Sequence, residues 1–240
     1  LSLEEAQPNF RDLPAEQGAA VLAEMEPEAR PEMLSGLSTR ELTGLVRELS
    51  HDEAADVISE LAPEQRSVVL GSLSSEDTGK ISQLLSYPPD TAGGIMSDRF
   101  IALRSHQTVA ECLQLLRGRG EDSPDDISYL YVIDAAGKLQ GIVSLRNLVM
   151  RRPERTIAEI MHPEVQHVGV DDDKEKIAHL FEHYHYMALP VLEHDGRLVG
   201  LVLANQAIDV LQDEATEDMQ LMVGLSGEER ALTPWSVSIR

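Results

Sequence analysis

Residues 130–143 read LYVIDAAGKLQGIV and residues 189–202 read LPVLEHDGRLVGLV; the two align without a gap at an offset of 59. Each is an apolar run, a polar turn holding a glycine (Gly137, Gly196) and a second apolar run broken by another glycine (Gly141, Gly200). That is a strand, a tight turn and a returning strand. Upstream of the first copy lie a short strand, FIALRS (100–105), a Thr108/Glu111 capping box that opens a helix, VAECLQLLRGRG (109–120), and the loop EDSPDD (121–126). Upstream of the second lie VQHVGV (165–170) and KEKIAHLFEHYH (174–185), again strand then helix. A helix closes each copy. The second half of the chain is therefore a duplicated α+β unit of about 60 residues.

The first 85 residues keep a different beat. Leu13, Met25, Leu37, Leu49, Leu61, Leu73 and Leu85 recur every twelve residues. Val21, Met33, Leu45, Val57, Val69 and Ile81 follow the first six at a spacing of eight. Ser38 with Glu41, Ser50 with Glu53 and Ser74 with Asp77 supply helix-start chemistry, and Pro27 and Pro63 fall at the same phase. Each beat predicts one helix of about nine residues, roughly 14 Å long. Helices so short need neighbours. The pattern predicts a right-angled superhelical solenoid of short helices and excludes one long amphipathic helix, which the caps and prolines would interrupt.

Composition narrows the partners. The chain has 240 residues and a formal net charge of −22, which disfavours nucleic acid and anionic membrane surfaces and favours cations or basic proteins. Its single cysteine, Cys112, falls in an apolar helical run and excludes a disulfide framework or a Cys-rich zinc site. There is no signal peptide and no apolar run near 18 residues, so no membrane insertion of these residues is expected. The abrupt start and the ending TPWSVSIR point to a fragment of something longer.

YMALPVLEHDGRLVGLV (186–202) resembles the core of a CBS domain, a module that works as a tandem pair. The wider order is narrower in its match. A twelve-beat solenoid, YPPDTAGGIMSDRFIAL (87–103), two CBS units and an acidic helix with DEATEDM (213–219) resemble the cytosolic region of MgtE-type magnesium channels. The resemblance implies a multidomain α and α+β chain: a solenoid N domain (1–88), a linker (89–95), CBS domain 1 (96–155), CBS domain 2 (156–212) and an acidic connecting, or plug, helix region (213–240) leading to a pore domain absent here. It implies a homodimer through the CBS domains, on the cytoplasmic face of the inner membrane, in which Mg²⁺ favours a closed, compact state.

From Asp209 to Glu229 there are seven acids and no Lys or Arg. On one exposed helix, like charges four apart cost only a few tenths of a kcal/mol, so a solvated face accounts for them. Between two modules the balance differs: carboxylates about 6 Å apart repel by roughly 3 kcal/mol at an effective dielectric near 20. Hydrated Mg²⁺, which takes few direct carboxylates, suits such boundaries. Carried over from the resemblance, the metal-facing acids are Asp209, Glu214, Glu217 and Asp218 on the acidic helix, Asp173 and Glu175 at the start of the second CBS helix, and Asp52 and Asp56 in HDEAADVISEL (51–61). Asn205, Gln206 and His185 stand where relatives often carry acids, which implies fewer or weaker bridges. CBS pairs also take adenine nucleotides, and ATP is the implied nucleotide. Tyr129 and Tyr186 are candidates to stack a base and Arg146 to meet phosphates, although Asn147 replaces the usual ribose-binding Asp after Ser144. Both tyrosines also read as ordinary half-buried strand residues.

His179 and His183, four apart with His185 nearby, have a zinc-compatible spacing, yet no cysteine completes the set. No phosphate loop, HExxH or nucleophile elbow appears, so no enzyme is expected. Two rival readings remain: an adenine-nucleotide sensor acting on another protein, and an acidic helical-repeat adaptor for a basic partner.

Overall fold

A computed structural model describes residues 3–25, 27, 29–119 and 128–223. The expected loop EDSPDD, the segment GLSGEERALTPWSVSIR and the side chains of Glu217 and Asp218 lie outside the described residues.

Seven short helices open the chain: α1 (Leu3–Arg11), α2 (Ala15–Ala23), α3 (Arg30–Ser35), α4 (Thr39–Val46), α5 (His51–Glu60), α6 (Pro63–Gly71) and α7 (Ser75–Leu84). Their starts carry the expected chemistry. Ser38 and Glu41 close a full capping box on α4, as do Ser50 and Glu53 on α5. Ser74 caps α7 by accepting from the Asp77 N–H at 3.1 Å. Each helix packs on the one two places further along, α1 on α3 through α5 on α7. The chain thus zigzags between two layers and superhelical stacking follows. Met33, Leu37, Leu45, Val57, Leu61, Val69 and Ile81 fill the core, as the beat predicts. Leu13 and Val21 break it: they are 37% and 43% exposed, because no described helix covers that face of the first unit.

The linker is not loose. Thr91 caps a one-turn helix, α8 (Ala92–Ile95), and Ala92 N and Gly93 N donate to Asp172 O and Val170 O at 2.7 and 2.9 Å. Ala92 and Met96 are buried in one core that runs from Leu22 of the solenoid to Val202 and Val210. The two glycines are packing residues rather than a hinge. A Cβ on Gly94 would lie 2.2 Å from Pro88 O, and one on Gly93 would lie 2.6 Å from the Tyr87 ring.

The duplicated unit forms two three-stranded sheets. β1 (Ala102–Leu103) runs parallel to β2 (Tyr129–Ile133), which pairs antiparallel with β3 (Leu139–Ser144). β4 (Val168–Gly169), β5 (Ala188–Leu192) and β6 (Leu198–Leu203) repeat the order. Gly137 and Gly196 take φ of 82° and 86° at the hairpin turns, a conformation side chains resist. The second glycine of each repeat permits a close crossing: a Cβ on Gly200 would strike Met96 and Ser97, and one on Gly141 would strike Met161 and His162. Each unit therefore lays its leading segment across a strand of the other unit, through the Ser97↔Leu201 and Ile142↔His162 bridges. The hairpin tips also pair, with Leu139 N donating to Gly196 O and Leu198 N to Gly137 O. Tyr131, Leu198 and Leu201 close the seam between the sheets.

Helices α9 (Val109–Arg119) and α10 (Leu145–Met150) belong to the first unit; α11 (Ile157–Ile160), whose Ile157 and Ile160 pack into the first unit's core, α12 (Lys174–Tyr184) and α13 (Ala204–Val223) belong to the second. Cys112 is fully buried, as its apolar run requires. α13 is one unbroken helix of 20 residues, so the second unit's closing helix and the acidic stretch are a single rigid element. Its apolar residues are only partly covered. Val210 is buried and Leu211 packs against the core, but Met219 is 61% exposed. Among the described residues no helix is long and apolar enough to cross a membrane.

Candidate metal and nucleotide sites

The solenoid meets the CBS pair at the start of α5. Its N-cap, Ser50, orients the first turn so that His51 and Asp52 point at the segment leading into β1. His51 Nδ1 lies 2.8 Å from Asp98 Oδ2, and Nε2 lies 3.3 Å from Asp77 Oδ1 of α7. One imidazole thus spans two solenoid helices and the strap beyond α8. Asp52 Oδ1 and Asp98 Oδ1 are buried with no hydrogen-bond partner among the described residues. Burial raises the Asp52 pKa, hydrogen bonds from Ser50 and Ser97 oppose the rise, and Glu53 adds to it. One turn on, burial pushes Asp56 up to about 6, against Arg30 and with help from Asp52 and Glu53. Asp56 is nevertheless an exposed residue, so water offsets much of that push. Desolvated, like-charged carboxylates without enough donors favour a proton or a cation.

The second acidic group is at the start of α12. Asp173 is its N-cap and accepts from the N–H groups of Glu175 and Lys176 at 3.1 and 3.2 Å. Asp173 also bridges to Thr91, and Lys174 Nζ reaches Asp90 at 3.2 Å, so this acidic turn is where the strap is docked. Glu175 is exposed. On α13 Asp209 is exposed, while Glu214 Oε2 lies 3.6 Å from His179 Nε2 and links α12 to α13. His183 instead stacks edge-on against Tyr184, and His185 ends α12 in the left-handed region at φ 55°.

The predicted ligand residues thus occupy three places rather than one centre. Among the described residues no three of His, Cys, Asp and Glu converge on a metal-sized site. Oxygen donors in ones and twos still fit a dication that keeps most of its water. His51, Asp77 and Asp98 escaped the sequence reading. His51 and Asp98 are 47 positions apart, and no periodicity links them.

The nucleotide candidates also separate. Tyr129 pairs with Ser144 across the hairpin and is 39% exposed, and Arg146 is exposed in the first turn of α10. Ser144 accepts from Asn147 N at 3.1 Å as the helix cap. Tyr186 lines a cleft of about 310 Å³ with Gln166, His167, Leu180, Tyr184 and Leu189. The Tyr184 and Tyr186 rings lie 5.6 Å apart at 33°, an open aromatic wall. Of the three candidates, only Tyr186 lines this cleft.

A helical superhelix fused to two crossed α+β repeats, joined by a docked strap, defines a CBS-pair module with a helical N domain. Comparison with known proteins narrows the class. The family model described as MgtE intracellular N domain matches residues 1–90, and that of the CBS domain matches 92–154 and 157–213. The chain belongs to the MgtE family. It is 42% identical over 140 residues to the magnesium transporter MgtE of Thermus thermophilus, covering 58% of this chain and 31% of that protein. It is 36% identical over 159 residues to that of Enterococcus faecalis, covering 66% and 35%. The chain therefore spans about a third of the length of these relatives. The crystal structure of the cytosolic domain of the Mg²⁺ channel MgtE in complex with ATP superposes at a TM-score of 0.80 with 35% identity, over 88% of this chain and 86% of that one. The soluble part of a magnesium transporter gives 0.80 and 32%, over 90% and 84%.

Proposed function

We propose that this chain is the Mg²⁺-sensing regulatory region of a magnesium channel, placed at the cytoplasmic face of the membrane and acting on a pore domain that is not among these residues. One observation carries the reading: at the boundary between solenoid and CBS pair, Asp52 Oδ1 and Asp98 Oδ1 are buried without partners among the described residues, in a chain of net charge −22. Compaction there is limited by carboxylate desolvation and repulsion. Hydrated Mg²⁺ relieves both and so binds the compact arrangement better than the separated one.

Weak sites suffice when several act together. Moving an equilibrium from 1:99 to 99:1 takes about 5.5 kcal/mol of differential binding. Four sites, each preferring the compact state tenfold, supply about 1.4 kcal/mol apiece. The candidates are Asp52 and Asp56, Asp173 and Glu175, and Asp209, Glu214, Glu217 and Asp218. The unbroken α13 carries the result away from the CBS pair towards the next domain.

A second copy completes the unit. Val149 on α10 and Ile208 on α13 occupy duplicate positions and are 59% and 51% exposed, an apolar pair suited to a homodimer of CBS modules. The Tyr186 cleft, together with the ATP-bound relative, supports adenine-nucleotide binding as a second input.

Small-angle scattering across a Mg²⁺ titration, with K⁺ holding ionic strength constant, tests the sensor. The radius of gyration falls as Mg²⁺ rises, and Glu217→Gln/Asp218→Asn moves the midpoint to higher Mg²⁺. A radius indifferent to Mg²⁺ ends the proposal.

A further inference from the structure

We propose that the cleft at the end of α10, lined by Met150, Arg151, Arg152 and Arg155, binds a compact multivalent phosphate anion. The cleft is a half-open groove of about 430 Å³. That exceeds the roughly 30 Å³ of one water many times over and admits a short phosphate chain.

Charge singles out this corner. Residues 1–95 hold six Lys and Arg against eighteen Asp and Glu, and residues 156–240 hold five against sixteen. Residues 96–155 hold nine against eight, with three of the nine inside five positions. Among the described residues Arg155 has one ion-pair partner, Glu159 at 3.7 Å, with both side chains about half exposed, and the same run carries one exposed acid, Glu154. Arg151 and Arg152 are exposed and have no carboxylate partner among the described residues. Three like charges crowded together repel, and an anion between them reverses the sign of that interaction.

The backbone below them is fixed. Arg155 N donates to Arg152 O at 3.1 Å, closing a turn. Val109 N and Ala110 N donate to Arg155 O and Pro153 O at 2.8 and 3.0 Å, which ties the turn to the first residues of α9. Those N–H groups are thereby used, so anion recognition falls to the guanidinium forks, whose planar donor pairs match phosphate oxygens. Met150 is the one apolar lining residue, which leaves little surface to stack a base. The recognised group is the phosphate rather than a nucleoside.

Size follows from the rest of the molecule. With a Debye length of about 10 Å at 0.1 M salt, a small anion inside the cleft is screened from the distant acids. A nucleic acid or an anionic membrane would meet the whole −22 surface.

The test titrates potassium tripolyphosphate calorimetrically into the full 240-residue chain in KCl without divalent ions, so its outcome is independent of Mg²⁺ sensing. Saturable binding is expected, at least tenfold weaker in Arg151→Gln/Arg152→Gln, and unchanged in Tyr186→Ala. Raising KCl weakens the native chain more than the double variant. Circular dichroism verifies that the variants are folded; both arginines are exposed and support no core. Absence of saturable binding, or equal affinity in the double variant, overturns the proposal. So does binding confined to ATP and lost only in Tyr186→Ala, or cosedimentation with phosphatidic acid vesicles without binding of free tripolyphosphate.

Discussion

His51 Nδ1 lies 2.8 Å from Asp98 Oδ2 and joins the fifth helix of the solenoid to the segment leading into the first CBS strand. With Asp77 on its other nitrogen, the ring links two carboxylates at the boundary proposed for Mg²⁺. His51→Ala leaves Asp98, 18% exposed at its side chain, without that partner. A hydrogen bond to a charged group contributes about 1.5–3 kcal/mol. Expected outcome: a larger metal-free radius of gyration, recovered at high Mg²⁺. A radius equal to that of the native chain would remove His51 from the boundary.

Acid should imitate the metal. The Asp52 and Asp56 pKa values are raised in the folded chain above the ordinary 3.8, Asp56 to about 6. A raised carboxylate pKa means the folded state binds the proton better. That contribution is fully present below the unfolded value and is lost as pH rises through the folded one. Asp77, held low by Ser74 and His51, acts oppositely but below its unfolded value, outside the upper window. Metal-free Tm should therefore rise as pH is lowered from 7 to 5, and Asp52→Asn/Asp56→Asn should flatten the rise. Saturating Mg²⁺ should shrink it as well. Thermal scans at fixed ionic strength measure all three.

Within the solenoid, Arg30 donates from Nη1 to Glu60 Oε1 at 3.1 Å and from Nε to Met25 O at 3.2 Å. Glu60 Oε2 is already buried without a partner among the described residues. Breaking a fully buried pair costs roughly 3–5 kcal/mol, and this pair keeps some solvent contact, so Arg30→Met should cost about 2 kcal/mol. Arg30→Met/Glu60→Met should recover most of it, since no charge is then stranded. Urea denaturation of both variants gives the difference.

Much of this was legible in sequence. The twelve-residue beat and the Ser–Glu pairs located helices α4, α5 and α7, and the offset of 59 located both hairpins. These signals are local: a cap involves residues three apart, and a hairpin turn declares itself by its glycine. What sequence missed is long-range. Pro-Pro and Gly-Gly in YPPDTAGG announce a break in regular structure, but not that Tyr87 and Pro88 pack on the two glycines. Arg30 and Glu60, 30 apart, carry no periodic mark either. The acids of α12 and α13 were named only by resemblance, and the contact of Glu214 with His179 needed coordinates.

Gly94 tests whether the strap transmits solenoid position to the CBS pair. An added Cβ meets Pro88 O at 2.2 Å and Pro89 Cα at 2.7 Å, both backbone atoms of a turn that cannot yield as a side chain would. Thr91 N donates to that same carbonyl at 3.2 Å, so moving Pro88 disturbs the cap of α8. Overpacking of this kind costs roughly 1–3 kcal/mol. Gly94→Ala should also expose residues 86–96 to limited proteolysis, whereas Gly79→Ala, with nothing within 4 Å of its Cβ and a helical backbone, should stabilise α7 by roughly 0.5–1 kcal/mol. The two alanines separate a general glycine effect from the strap. If Gly94→Ala resists protease and compacts with Mg²⁺ at the native midpoint, the strap is a passive tether and the solenoid reports to α13 by another route.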